Sequence, residues 1–269
     1  MKIKASLFIK SFLLAFIALA LVAAIIITST YIEKSSVSPE AAESTLLIGL
    51  VDRNKALSLI VINFDPVNSM ISFLPIPDNT LLENSVILQS MYENNDASKI
   101  VNSIEGIIGT DIDRFALFST DALVKVVNDM GEFEFLIPHK FVHDGQLHSG
   151  LEKYMNGELA KAMFTYGEYD MKKVSISDIA VSFVYSFLSK YASSSYSTDL
   201  QNALISAFGD NTIITNLNKD EIAGYCTLIA KYSAYSHREL KIKGTVHNDS
   251  SSSVYFTPET LHSNKNIFK

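Results

Sequence analysis

The segment from Thr45 to Thr80, TLLIGLVDRNKALSLIVINFDPVNSMISFLPIPDNT, constrains the fold more than any other part of the chain. It holds three apolar runs rich in Ile, Val and Leu, separated by polar turns. Each run is too short to span a membrane. Short, nearly unbroken runs of this kind are strands buried on both faces. The predicted strands are Leu46–Val51, Leu57–Phe64 and Met70–Leu74, with Asp65-Pro66-Val67-Asn68 as the turn between the last two. Pro75-Ile76-Pro77-Asp78-Asn79-Thr80 then forms a polar loop at a strand end, where α/β sheets bind their ligands. Asp78, Asn79 and Thr80 offer oxygens there but no positive charge, and as a bare loop they read as a solvated turn.

Beyond Thr80 the pattern alternates. Two helices are expected next, the second over Ala97–Ile108, with Ile100, Ile104, Ile107 and Ile108 on one face and Gly109 past its end. A strand at Arg114–Phe118 leads into a helix capped by Ser119 or Thr120 and stopped by Gly131. A strand at Phe133–Leu136 is ended by Pro138, and Asp144-Gly145 marks a turn. Helices over Asn156–Phe164, Asp178–Tyr191, Thr198–Phe208 and Lys219–Ser233 follow, the last capped by Asn218. Strands are expected at Asn211–Thr215, Leu240–Val246 and Val254–Phe256. Strands alternating with helices predict one three-layer α/β/α domain with a mixed central sheet over residues 45–269.

The first residues carry a separate signal. Lys2, Lys4 and Lys10 precede an unbroken apolar run, Phe12–Ile27. Residues 11–32 reach the ~20 residues needed to cross a bilayer. The basic start, residues 1–10, stays in the cytoplasm and places the rest of the chain outside. A cleaved signal peptide shares these features, but Ile25-Ile26-Ile27 follows the small residues that a cleavage site would use. The expectation is one N-terminal transmembrane helix in the cell membrane, then a Ser/Glu/Ala/Pro linker over residues 33–44.

The whole chain has a formal net charge of −7, and four of its basic residues lie in the first 34. An acidic outer domain excludes nucleic acid as a partner by bulk electrostatics. With the single cysteine, Cys226, neither a disulfide framework nor a cysteine metal site can form. Cys226 reads as a small buried hydrophobe. No phosphate-binding glycine loop, nucleophile elbow or zinc-protease helix is present. His139, His143 and His148 would hold zinc only if a turn converged them, and an exposed turn explains them as well. Asp111 and Asp113 could meet a hard cation, or punctuate a helix-to-strand turn.

An ordered series of short motifs resembles the LytR–CpsA–Psr family, the cell-envelope attenuator-type domain. Leu46-Leu47-Ile48-Gly49 followed by Arg53 resembles its first strand and arginine turn. Asn63–Pro66 resembles its Asn-Pro-type turn, and Pro75–Thr80 stands in the place of its Ser-Ile-Pro-Arg-Asp-Thr motif. Ile104–Ile112, Asp129-Met130-Gly131, Met155-Asn156-Gly157-Glu158 with Ala160, and Thr215-Asn216-Leu217 resemble later motifs in order. The resemblance implies a phosphotransferase that moves a glycopolymer from a polyprenyl pyrophosphate carrier onto peptidoglycan. In that family arginines grip the pyrophosphate, aspartates hold Mg²⁺, and the lipid tail lies in an apolar tunnel.

The departures fall on those charged positions. Asp78 stands at the motif arginine and Asn79 at the motif aspartate. Val51 and Leu57 stand where two further aspartates are expected, although Asp52 is adjacent to the first. Thr165 replaces a later arginine, and Lys172 and Lys173 are what remain of a downstream arginine segment. An aspartate in place of an arginine repels a diphosphate. The reading carried forward is a membrane-anchored, degenerate family relative that binds lipid or a partner in cell wall assembly. One alternative is an active Mg²⁺-dependent transferase in which Arg53, Lys172 and Lys173 supply charge, Asp52 and Asp78 hold the metal, and Asn79 and Thr80 contact substrate. The other is an unrelated anchored α/β binding module.

Overall fold

A computed structural model describes residues 42–53, 55–82, 86–92, 97–170, 175–193, 195–209, 212–248, 254–259 and 267–268. Three central strands, β1 (Ser44–Asp52), β2 (Lys55–Asp65) and β3 (Met70–Ile76), form an antiparallel meander. Parallel strands flank it on both sides. β4 (Arg114–Ser119) runs beside β1, and β8 (Ser236–Glu239) beside β3. β7 (Ile213–Thr215) pairs antiparallel to β4 and completes a six-stranded mixed sheet of order β7-β4-β1-β2-β3-β8. Of the expected anchor and linker, residues 1–41 lie outside the described residues. Among the described residues, no helix is long and apolar enough to cross a membrane. β1 starts at Ser44, at the end of the expected linker, and Ser44 is buried with its hydroxyl 2.5 Å from that of Tyr225.

The unbroken apolar runs are explained by burial on both faces. Leu47, Leu59, Val61, Leu74 and Ile76 pack against α1 (Ser98–Ile108), whose Ile100, Ile104, Ile107 and Ile108 are buried as their spacing predicts. The other face, with Leu46, Leu50, Ile60, Ile62 and Phe73, meets a thicker helical layer. That layer comprises α2 (Thr120–Met130), α3 (Gly157–Thr165), α4 (Ile176–Tyr191), α5 (Ser197–Gly209) and α6 (Lys219–Ala230). Side chains alternate across each strand, so a single strand feeds both layers. The expected mixed α/β architecture with helices on both sheet faces is present.

Helix starts follow the predicted chemistry. Ser119 accepts a hydrogen bond from the Ala122 amide, and Asn156 one from Leu159. Asn218 and Glu221 form a reciprocal capping box. α3 lies against α2, and Gly157 is where the two backbones meet. A Cβ there would stand 2.4 Å from the Val124 carbonyl oxygen, and the Gly157 amide donates to Asn128 Oδ1 at 2.9 Å. The Asn156–Glu158 helix start is thus packed onto Val124 and Asn128 of α2.

Four expectations change. The first of the two helices after β3 is only a 3-10 turn, Leu88–Met91. The strand that Pro138 was expected to end continues as β5 (Phe133–His143) and pairs with β6 (Gln146–Met155) around the Asp144-Gly145 turn. Pro138 falls in an irregular stretch of the register between Ile137 and Phe141, in a ribbon of only two strands, where its missing N–H costs no ladder bond. The strand expected at Leu240–Val246 is shorter and shifted: 240–243 lie in no strand, and β9 (Gly244–Asn248) pairs with β10 (Val254–Pro258) in a separate hairpin, while β8 ends before it at Glu239. The helix expected over Lys219–Ser233 ends at Ala230 and gives way to a 3-10 turn at Tyr232–Ala234.

Gly157→Ala should lower stability by about 2–3 kcal/mol, because the added methyl must displace the Val124 backbone. Urea unfolding of the full chain should show a lower midpoint at unchanged slope.

Candidate functional site

β1, β3 and β4 all run in one direction, so their carboxyl ends meet at one edge of the sheet. Asp52 and Arg53 cap β1, Asp78 follows β3, and Asp121 opens α2 after β4. Arg53 is exposed and sits in the left-handed region, φ 51°, in the two-residue turn that returns the chain into β2.

The Asp78 loop is not a solvated turn. Asp78 is 5 % exposed and Thr80 fully buried. The Thr80 hydroxyl donates to the Pro77 carbonyl at 2.6 Å, and the Thr80 amide does so at 3.1 Å. The Leu88 amide donates to the Thr80 carbonyl, and that of Gln89 to the Asp78 carbonyl. The Phe256 amide donates to the Asn79 carbonyl at 3.0 Å, so β10 lies across the loop. The two prolines and the threonine therefore hold a shape, and Thr80 is not free to meet a substrate. Ser177, in the first turn of α4, stitches the same edge. Its hydroxyl donates to the Ile76 carbonyl at 2.6 Å and accepts from the Leu59 amide at 3.1 Å.

Asp78 is the anomaly in this loop. Its Oδ1 is buried without a hydrogen-bond partner. Burial pushes the carboxyl up to about 6, the neighbouring Asp178 carboxylate adds to the rise, and the amides of Asp78 and Asn79 oppose it. A proton on Asp78 thus stabilises the fold.

Positive charge at this edge is sparse. The chain has three arginines, Arg53, Arg114 and Arg238. Arg114 opens β4 at the opposite edge and is held by Glu221. Arg238 donates to Ser72 Oγ and the Phe268 carbonyl. Of the arginines, Arg53 alone stands at the strand ends, with Lys55 beside it at the start of β2. Lys172 and Lys173 lie outside the described residues. Lys161 of α3 is the cation that the sequence reading missed. It donates to Asp121 Oδ1 at 2.7 Å, and that bond raises its ammonium above the ordinary range; Asp121, Glu158 and Asp52 add to the rise, against a small loss from burial. Its position was readable: it lies one helical turn beyond Gly157, on the face packed against α2.

The residues do not fit the magnesium site that the resemblance implies. Val51 is buried in the α1-side layer and Leu57 packs against the helical layer, so the expected aspartate pair is an apolar pair. Leu57 is also the residue skipped where the β1–β2 register shifts. Asp52 ends β1 and Asp78 follows β3, with β2 between those strands, and among the described residues no three His, Cys, Asp or Glu side chains gather as metal ligands. The latter also holds for His139, His143 and His148: His148 stacks on Phe141, and His143 leans toward Asp144. Asp113 is structural, accepting from the Thr45 amide at 2.8 Å.

Behind the strand ends lies an apolar cavity of about 200 Å³. β1 forms one wall with Leu46, Ile48 and Leu50, and α2, α4, α5 and α6 form the others through Val126, Val184, Leu204 and Ile229. Cys226 lines it, its thiol pushed up to about 12 by burial, and behaves as the predicted hydrophobe. Leaving such a volume empty costs on the order of 5 kcal/mol. An apolar cavity excludes water and accepts apolar groups.

Asp78 predicts a pH dependence. Its folded value lies above that of an ordinary aspartate, so its contribution is complete below the unfolded pKa and is lost as pH rises through about 6. Stability should fall by about 2–3 kcal/mol from about pH 4 to about pH 7.5 through this group, and Asp78→Asn should remove that slope in urea titrations.

No family model matches the sequence, and no curated protein does. The fold does match solved structures. It is similar to B. subtilis TagV, with TM-score 0.68 and 19% identity, over 83% of this chain and 92% of that one. It is similar to TagT bound to LI-WTA, with TM-score 0.65 and 13% identity, over 83% and 87%. It is also similar to B. subtilis TagU, with TM-score 0.56 and 18% identity, over 81% and 90%. The chain carries the fold of the LytR–CpsA–Psr proteins.

Proposed function

We propose that this chain is a membrane-anchored cell-envelope protein that holds the apolar tail of a polyprenyl-linked glycopolymer and does not transfer it. The single observation that carries this reading is the cavity of about 200 Å³ between β1 and the helical layer. It lies behind the sheet edge at which the motif series expects a ligand. A similar fold, TagT, is bound to LI-WTA.

The strand ends support the second half of the proposal. A departing pyrophosphate needs cationic neutralisation, which bidentate arginines supply best. Two of the three arginines are committed elsewhere, and a buried carboxyl occupies the motif position. The apolar Val51 and Leu57 remove the metal that could otherwise offset the repulsion. What remains is a tail-binding fold in cell wall assembly, presented on the outer side of the cell membrane by the N-terminal anchor.

Lys161 and Asp52 favour one second reading. Together with Arg53 they gather charge at the end of β1, and a rearranged transferase would use them there. The test is direct. The full chain is purified in detergent, its bound lipid identified by mass spectrometry, and its turnover of a polyprenyl pyrophosphate-linked sugar measured with Mg²⁺. Polyprenyl lipid without turnover is expected, and Val184→Phe, which fills the cavity, should lose that lipid several-fold. Turnover that disappears on Arg53→Ala or Lys161→Ala would establish the second reading instead.

A further inference from the structure

We propose that the outer face of the β5–β6 ribbon is a membrane-docking surface that lays the domain against the bilayer carrying its own anchor. This rests on the anchored reading above. The ribbon carries apolar side chains on both faces. Its inner face, with Phe133, Phe135, Ile137 and Phe141, is buried in the core. Its outer face carries Leu136 and Leu151, which are register partners, and Val142 and Leu147, which are also partners. These side chains are 65%, 57%, 46% and 62% exposed. The two aliphatic cross-strand pairs stand on that face on either side of the irregular Pro138–Lys140 stretch. An ordinary solvated ribbon places polar residues at such positions, and exposed apolar patches mark contact surfaces.

A lipid surface is the occupant that fits. The chain between residue 32 and Ser44 can span at most about 40 Å, so a bilayer is always within reach of the domain. The ribbon's charges nearly balance, with Lys140 and Lys153 against Glu134, Asp144 and Glu152. Its attraction is therefore apolar burial and needs no anionic lipid. Tyr154, 64% exposed beside the patch, has the amphipathic ring that suits the membrane–water boundary. Edge-to-edge pairing with a second copy is disfavoured by Pro138, which interrupts the register of β5.

The test uses the full chain in liposomes. Cys226 is buried, so an introduced cysteine is the one that takes a fluorescent label. Leu147→Cys and Leu151→Cys are compared with Asn102→Cys, an exposed position on α1, which covers the opposite sheet face. Flotation first establishes that the chain stays with the vesicles. Labels at 147 and 151 should lose fluorescence to lipid-borne quenchers, equally with and without anionic lipid, while the label at 102 should not. Unquenched ribbon labels on a floating chain overturn the proposal and leave the anchor intact. Labels that quench each other between copies, and not with lipid, also overturn it in favour of a self-interface. A chain that does not float removes the anchor and this proposal with it.

Discussion

Burial of β1, β2 and β3 on both faces is the constraint on which the rest of the structure depends. Strands with an apolar layer on each side leave no room for polar chemistry within the sheet. Charge is confined to the strand ends, and the volume behind the strands is available only to apolar groups. The arrangement leaves an apolar cavity against one sheet face and a polar edge beyond it.

The motif residues that persist are those that make the fold. Gly157 allows α3 onto α2, and Gly49 sits where a Cβ would stand 2.5 Å from the Leu117 side chain. Thr80 and Pro77 close the loop after β3. Asn216 accepts from the Phe115 amide and holds β4. The motif positions that differ are charged ones: Asp78 stands for an arginine, Asn79 for an aspartate, and the packed Val51 and Leu57 for two further aspartates. The buried Asp78 fits this division, since an arginine there would face the same enclosed loop.

Much of this was legible in the sequence because two-sided burial writes unbroken apolar runs. β1 to β3, α1 and the Asn218 cap fall where periodicity and capping chemistry put them. β8 was not legible, because Ser236–Glu239 is a polar edge strand with no apolar alternation. β6 was hidden as well. Asp144-Gly145 signalled the turn, but Gln146–Met155 buries Met155 alone and shows no apolar alternation to mark it as a strand. In the site, the exposure of Arg53 followed from its turn, but the burial of Asp78 did not. That burial is imposed by β10, which arrives from the far end of the chain. Lys161 was overlooked because the resemblance directs attention to Thr165, one turn too late. The motif series stands on the fold that it resembles, which is not what a coincidental series would give.

The central claim is that this protein grips a lipid by its tail and not by its phosphates. It is tested most directly by measuring the affinity of the purified chain for polyprenol, polyprenyl phosphate and polyprenyl pyrophosphate of equal chain length. If the cavity supplies the binding, the three affinities agree within a few-fold and all fall together when the tail is shortened. A pyrophosphate bound tighter by two orders of magnitude or more, which corresponds to about 3 kcal/mol, would contradict it, because the strand ends would then carry the cationic grip that their residues lack.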